Sequence, residues 1–270
     1  MTDTHFFDKI DDEMKAYWLG FLHADGHIFK NRYSVSVNLS RRDGDHLRKL
    51  HRLIGGTISE SEHFDTRTHK TYYRTTLVLY GKCLCERLRQ IGIKTDGDEV
   101  YSNIPPELHH HFIRGYFDGD GCVGWRGRGN RRSFYIDLAG TEAFLISTQS
   151  LLRMRLGLRR NKITNGTGIC RMGWSGAFSI ARVKRWFYDG ASVFLERKAT
   201  KFDEAPKQRG SSQYQGVYWQ KRGNKWVARL YYDGKTQHIG CFDDEEAAAR
   251  AYDIKTIEIY GESASVNFPQ

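Results

Sequence analysis

The chain is short of cysteine, of long apolar runs and of acidic charge. Its five cysteines are Cys83, Cys85, Cys122, Cys170 and Cys241. That odd number, with no C-x-x-C pair, supports neither a disulfide framework nor a zinc ribbon. No apolar run approaches the ~20 residues of a membrane-spanning helix. The opening MTDTHFFDKIDDEMK is polar and acidic, unlike a secretory signal. The setting implied is reducing and intracellular, the cytoplasm or else an organelle. Acidic side chains number 32 against 42 lysines and arginines, for a net charge of +10 and an isoelectric point near 9.3. A polyanionic partner fits that balance, although scattered solvated lysines would give the same total.

The hydrophobic content of 39% and aromatic content of 13% argue against general disorder, and 270 residues can hold one or two domains with cores. The charge is uneven. Residues 211–270 hold seven basic and eight acidic side chains, so the whole surplus lies in residues 1–210. Within the later part, Lys221, Arg222, Lys225, Arg229 and Lys235 precede an acidic helix. The polar stretch Lys201–Gln213, with Pro206, Gly210 and two serines, reads as a linker. The expected division is residues 1–205, a linker at 206–212 and a compact unit at 213–270.

A nine-residue pattern occurs twice, as Trp18-Leu19-Gly20-Phe21-Leu22-His23-Ala24-Asp25-Gly26 and as Ile113-Arg114-Gly115-Tyr116-Phe117-Asp118-Gly119-Asp120-Gly121. Each copy follows an apolar, helix-length lead. The order helix, strand pair, helix, strand pair, helix then recurs, over about 10–105 and 106–205. Clear elements are Glu13–His23, Asp45–Ile54, Lys82–Ile91, Leu108–Phe117, Glu142–Leu156 and Gly176–Tyr188 as helices, with strands at Tyr33–Leu39, Tyr72–Tyr80, Ser133–Leu138 and Gly168–Trp174. The remaining hairpin partners are not placed by the pattern. The fold class is α+β, a pseudo-twofold pair of αββαββα halves. Gly20 and Ala24 lie four apart on one helix face, as do Gly115 and Gly119, so the two helices can pack closely. Their ends then bring Asp25 and Asp120 together. Two carboxylates at helix C-termini repel each other and the helix dipole, and a bound divalent cation would relieve both. Hard oxygen ligands point to Mg²⁺, two or more ions being expected. For one Asp-Gly helix end, an ordinary turn is as good a reading as catalysis. A calcium-loop reading of Asp118–Gly121 fails, because its twelfth position is Gly129. The run His109-His110-His111 reads as a polar helix start, since consecutive residues diverge around a helix.

The repeat, with AYWLGFLHADGHI, FIRGYFDGDGCV, the D-x-x-H-L segment at 43–47 and FLERKATKF at 194–202, resembles the single-chain LAGLIDADG homing endonucleases. The resemblance covers roughly residues 10–205. It implies an endodeoxyribonuclease that hydrolyses both strands of a site, with Asp25 and Asp120 as catalytic metal ligands and short 3′ overhangs as product. It also implies a lysine near the metals in each half, polarising water or holding phosphate. Lys198 fits that role in the second half. In the first, the usual place falls at or near Gly97, and Lys94 is the candidate substitute. His23 stands where the family has its first Asp, a departure of little consequence, and Asp118 at the same place is expected to be solvated or to cap its helix.

The last unit reads as three short strands, Gly216–Trp219, Lys225–Tyr232 and Thr236–Phe242, packed on a helix over Asp244–Tyr260. Its landmarks are Gly216-Val217, Trp226-Val227-Ala228, Ile239-Gly240, Ala251-Tyr252-Asp253 and Asn267-Phe268-Pro269. They resemble the integrase-type DNA-binding domain of plant ethylene-response factors, whose sheet enters the major groove. Tyr218, Arg229, Tyr231 and His238 replace the Arg, Glu, Arg and Trp usual there, so the plant target does not transfer. The expected DNA contacts are Trp219, Lys221, Arg222, Lys225, Trp226, Arg229 and Lys235, some of them to phosphate. For Trp226, core packing is the competing reading.

Together these features imply a monomeric homing endonuclease with an added DNA-binding module. It would act on duplex DNA at a long asymmetric site and need no protein partner. The chain lacks the Cys/Ser start and His-Asn end of a splicing intein, so an intron-borne or free-standing gene is expected. The rival is a non-cutting DNA-binding regulator or an RNA-splicing maturase, which would not need both carboxylates.

Overall fold

The computed structural model describes residues 1–94, 99–129, 132–166, 168–206 and 211–269. The first half runs α1 (Glu13–Asp25), β1 (Gly26–Ile28), β2 (Ser34–Ser40), α2 (Gly44–Ile54), β3 (Thr57–Asp65), β4 (Lys70–Tyr80) and α3 (Lys82–Ile91). The second repeats it as α4 (His109–Asp120), β5 (Gly121–Arg126), β6 (Ser133–Gly140), α5 (Glu142–Leu156), β7 (Thr164–Asn165), β8 (Cys170–Ser175) and α6 (Ala177–Tyr188), followed by α7 (Glu196–Lys201). The two four-stranded antiparallel sheets have equivalent orders, β1-β2-β4-β3 and β5-β6-β8-β7. The expected α+β architecture of two αββαββα halves is the one observed.

Local chemistry accounts for the boundaries. Asp12 caps α1, accepting from the Lys15 amide at 2.8 Å, and Glu13 adds negative charge to the first turn. α5 starts at Thr141 and stops at Gly157, whose φ of +60° suits glycine. Period-two alternation orients the sheets. Val35 and Val37 of β2, paired with Leu79 and Leu77 of β4, point into the core. Ile136 and Leu138 of β6 do the same with Trp174 and Met172 of β8. The opposite faces carry Asn38, Ser40, Arg74 and Thr76 in one half, and Arg126, Tyr135, Asp137 and Arg171 in the other.

The strands left unplaced by the sequence pattern are β1, β3, β5 and β7. β1 and β7 span three and two residues, too short for any periodicity to register. β3 is almost wholly exposed, so neither of its faces is apolar.

One apolar core runs through both halves, from Phe7 to Phe202. A second gathers Val217, Ala228, Leu230, Ala248, Ala249 and Tyr252 between α8 (Glu245–Tyr260) and a three-stranded antiparallel sheet. That sheet has the order β11-β10-β9, with β9 Val217–Gln220, β10 Lys225–Tyr232 and β11 Lys235–Phe242. Of the expected linker, residues 207–210 lie outside the described residues.

Candidate active site at the helix junction

The two repeat helices meet at their glycines. A Cβ on Gly20 would overlap the Phe112 carbonyl, and one on Gly115 would overlap the Tyr17 carbonyl. Phe112 and Tyr17 each lie three residues before the glycine of their own helix, so the crossing obeys the pseudo-twofold axis. One step further along, Gly119 faces the Ala24 methyl and the Asp25 carboxylate. All four small residues named from the sequence lie at or beside this crossing. The close approach leaves α1 buried on every side, from Ala16 to Ala24.

Asp25 and Asp120 are the last helical residues of α1 and α4. Burial, and then the charge of Asp120, push Asp25 up to about 6. Burial likewise raises Asp120, while Lys94 and Lys198 oppose it. Both carboxylates therefore feel low polarity, partly offset by the same two cations, and Asp25 also feels the charge of Asp120.

Those lysines grip the helix ends. The Lys198 ammonium donates to the carbonyls of Phe117, Gly119 and Gly121 at 2.8, 2.7 and 2.7 Å. These are its three protons, so Lys198 cancels the negative end of the α4 dipole and leaves none for a water or phosphate. Burial lowers it to about 8. Lys94 donates to the Ala24 carbonyl, which the repeat equates with that of Gly119. It too is lowered by burial. Gly97, the usual family position, lies outside the described residues.

The sixth repeat position differs from expectation in both copies. Asp118 is neither solvated nor a cap for its own helix: it is 2% exposed and accepts from Tyr17 Oη at 2.8 Å, Tyr188 Oη at 2.9 Å and the Leu195 amide at 2.7 Å. Burial nevertheless raises it to about 6. His23 is also buried, and its Nδ1 accepts from the Lys94 amide at 3.1 Å. Each of these side chains thus anchors the backbone segment that delivers its half's lysine. Burial holds His23 down at about 3, in the neutral form this bond requires.

A second set of contacts fixes α7. Arg197 pairs with Asp43 at 2.9 Å, and Lys49 with Glu196. His46 bonds Tyr17 Oη at 2.7 Å. Because the Tyr17 proton goes to Asp118, the His46 Nε2–H is the donor here. Asp43 and His46 are the first and fourth residues of the D-x-x-H-L segment, which the sequence marked without assigning a task. Among the described residues, no group of three or more His, Cys, Asp or Glu side chains converges as a metal cage. The histidine run lies at the start of α4, His109 and His110 bonding to main-chain carbonyls.

Beside Asp120 a cleft of about 460 Å³ opens between His23, Lys94, Thr141 and Asn165. The open sheet faces carry groups the sequence reading did not name. A groove of about 1030 Å³ in the first half is lined by Asn38, Arg41, Arg42, Tyr73 and Arg74, with Arg41 over the Tyr73 ring. In the second, Arg126 lies 4.2 Å from the Tyr135 ring centroid, and Arg126 and Arg171 flank Asp137. Strand alternation was the signal that could have found those within strands, Asn38 and Arg74 in one half and Arg126, Tyr135 and Arg171 in the other.

In the last unit, β10 turns Trp226, Ala228 and Leu230 toward α8 and Lys225 and Arg229 to the open face. Trp226 packs on the second core and meets Trp219 edge-on at 5.0 Å, so both rings lie on the helix side of the sheet. Arg229 lies over the Tyr218 ring at 4.5 Å, and Lys225 pairs with Asp243. Lys221 and Arg222 are exposed in the β9–β10 turn, and Lys235 is exposed at the start of β11.

Residues 107–180 match the LAGLIDADG-like domain family. The homing endonuclease I-WcaI bound to its DNA recognition sequence superposes with a TM-score of 0.51 at 10% identity, over 71% of this chain and 87% of that one. The meganuclease I-SmaMI bound to uncleaveable DNA gives 0.50 at 11%, over 70% and 87%. Among curated proteins, APETALA2-like protein 2 of Oryza sativa subsp. indica is 41% identical over 70 residues, 26% of this chain. The AP2-like ethylene-responsive transcription factor TOE2 of Arabidopsis thaliana is 41% identical over 58 residues, or 22%. The chain spans only 16% and 12% of those two proteins' lengths. The chain has the LAGLIDADG homing endonuclease fold, and a short stretch of it is similar to plant AP2-type proteins.

Proposed function

We propose that the protein is a site-specific endonuclease that cuts both strands of duplex DNA, acting as a monomer on a long asymmetric site. The observation that carries this reading is the pair Asp25 and Asp120, each ending one of two helices in glycine contact and each raised by burial from its ordinary value. Buried like charges at helix C-termini are unfavourable unless a cation joins them. The donor set fits Mg²⁺: two hard carboxylates, with water and DNA phosphate to complete the shell. Divalent cations held there would supply an activated water and relieve charge on the leaving oxygen. Lys94 and Lys198 hold the helix ends, and so the carboxylates, in register, while the basic sheet faces grip the duplex backbone. Cuts staggered about the junction would leave short 3′ overhangs. We assign the AP2-like stretch to residues 213–270, as an accessory DNA-binding module joined through 206–212.

The test is cleavage of DNA from the gene's own insertion locus with Mg²⁺. Wild type should linearise it, and Asp25→Asn or Asp120→Asn should bind but cut at least ~1,000-fold more slowly, as expected when metal catalysis is lost. Millimolar Ca²⁺ or Mg²⁺ should raise the melting temperature of wild type and not of the double variant. Undiminished cutting by both single variants would sink the assignment, and binding without cutting by wild type would favour the regulator reading.

A further inference from the structure

The segment after α8 bonds to both units. On one side it is stapled into the last unit: buried Asp253 accepts from the Asn267 amide at 2.7 Å, the Asn267 Nδ2 at 3.0 Å and the Phe268 amide at 2.8 Å. Asn267 also bonds the Gln215 main chain in both directions, at 2.8 and 3.1 Å. On the other side the same segment turns its carbonyls to the second half. Arg182 of α6 donates to Val266 O at 2.6 Å and Asn267 O at 2.8 Å, and also to Leu156 O at 2.6 Å, where α5 ends. Its guanidinium lies 4.1 Å from the Phe178 ring centroid, which fixes its plane. The Val266 amide donates to Gly157 O at 3.1 Å, and the Ser265 hydroxyl to the same oxygen at 3.2 Å. At Gly157 a Cβ would overlap the Val266 carbonyl. Arg160 and Glu262 add an exposed pair at 3.2 Å.

This contact is built from backbone groups and one half-buried arginine, not from a broad apolar face. The fixed donors of a planar guanidinium, aimed at main-chain carbonyls of both units, constrain orientation more than a few flexible ion pairs would. None of these docking contacts involves the strands β9–β11, so the open face with Lys225 and Arg229 stays free. Gly157 and Arg182 belong to the second half, the one containing Asp120.

We propose that Arg182 and Gly157 lock the last unit onto the second half, so that its sheet and the Asp25/Asp120 centre read one duplex at a fixed spacing and helical phase. This rests on the endonuclease reading and extends it, making Arg182 a specificity-determining residue that touches no DNA. A tethered module on a loose linker would tolerate varied spacing, with an effective concentration that changes little over a few base pairs. A locked module would not.

The experiment uses the full-length protein and duplexes it selects from a randomised pool. Footprinting locates the segment protected by the module, and about five base pairs, half a helical turn, are then inserted between it and the cleavage position. Wild-type affinity should fall on the order of a hundredfold, the module's share of binding being lost. For Arg182→Ala the insertion should cost no more than roughly threefold, while the uninterrupted site is still cut. Gly157→Asn keeps a residue that tolerates positive φ but presses on Val266, and it should relax spacing in the same way. Equal tolerance in wild type and variants, or unchanged spacing dependence in both variants, would overturn the proposal. Amide exchange of Val266 reads the lock without DNA. It should quicken in Arg182→Ala, and unchanged protection there would also count against the proposal. If wild type cuts no DNA while the exchange difference holds, the endonuclease reading fails and the lock stands.

Discussion

His46 ties stability to pH through a single side chain. It is buried, donates to Tyr17 and is held by burial down to about 3. An ordinary histidine in the unfolded chain binds its proton near 6.5. As pH falls through that window the unfolded state takes up a proton and the native state does not, so stability is lost toward acid. Asp25 and Asp118 act oppositely: raised to about 6, they favour the fold below the ordinary carboxylate value and lose that contribution as pH rises through about 6. The readout is therefore a difference. Relative to wild type, His46→Gln should lose less stability between pH 6.5 and 4, by up to about 3 kcal/mol, in urea titrations at each pH. Equal slopes would refute it. At this scale the sequence was only partly legible. Asp25 and Asp120 stood out by repetition, and Lys198 by a resemblance. Asp118 and His23 looked peripheral because no one-dimensional pattern reports that a polar residue is clamped by Tyr17 and Tyr188, or by an amide seventy residues away. Lys94 adopts a positive φ, in a segment whose shape composition does not reveal.

At the scale of elements, the helix pair sets the geometry, and its glycines carry the strongest constraint. Replacing glycine by alanine inside a helix ordinarily gains about 1 kcal/mol in propensity. Gly115→Ala should do the reverse. The new methyl meets the Tyr17 carbonyl, which belongs to a helix buried all round and has no room to retreat. Net destabilisation of about 2–3 kcal/mol is expected, as for overpacked cores. Gly20→Ala should match it through Phe112, because the crossing is pseudo-symmetric. Calorimetry that found either variant as stable as wild type would contradict so tight an interface. Cleavage should fall further than DNA binding in both, since the carboxylates ride on the helices and the sheets do not. Helices were legible because their stripes and caps are local: Lys82–Ile91 and Glu142–Leu156 fall where the pattern puts them. β3 was not, because a strand exposed on both faces has no apolar period to read.

For the whole molecule, what matters is how charge is distributed over three sheets. The open faces of the two larger sheets and the turns of the small one present arginines and lysines beside aromatic rings, a surface suited to phosphate and to stacking. The net charge of +10 announced a polyanion, but it could not say which cations act. The structure sorts them. Lys225 is partly neutralised by Asp243, whereas Lys221 and Arg222 project from the β9–β10 turn with no acidic partner among the described ion pairs. If both reach phosphates, the double variant Lys221→Ala/Arg222→Ala should lower the slope of log affinity against log salt by about 2, the counterions of two phosphates no longer being released. The rate of cutting at saturating protein should be unchanged, because both residues belong to the last unit, whereas Asp25 and Asp120 end α1 and α4. Lys225→Ala should change the slope by less than either single variant, since its charge is already shared. Binding isotherms over a range of salt concentrations, on one fixed duplex, decide the matter. A double variant with the wild-type slope would show that this turn faces solvent when the protein is bound, and would move the module's contact with DNA to the Arg229 face alone.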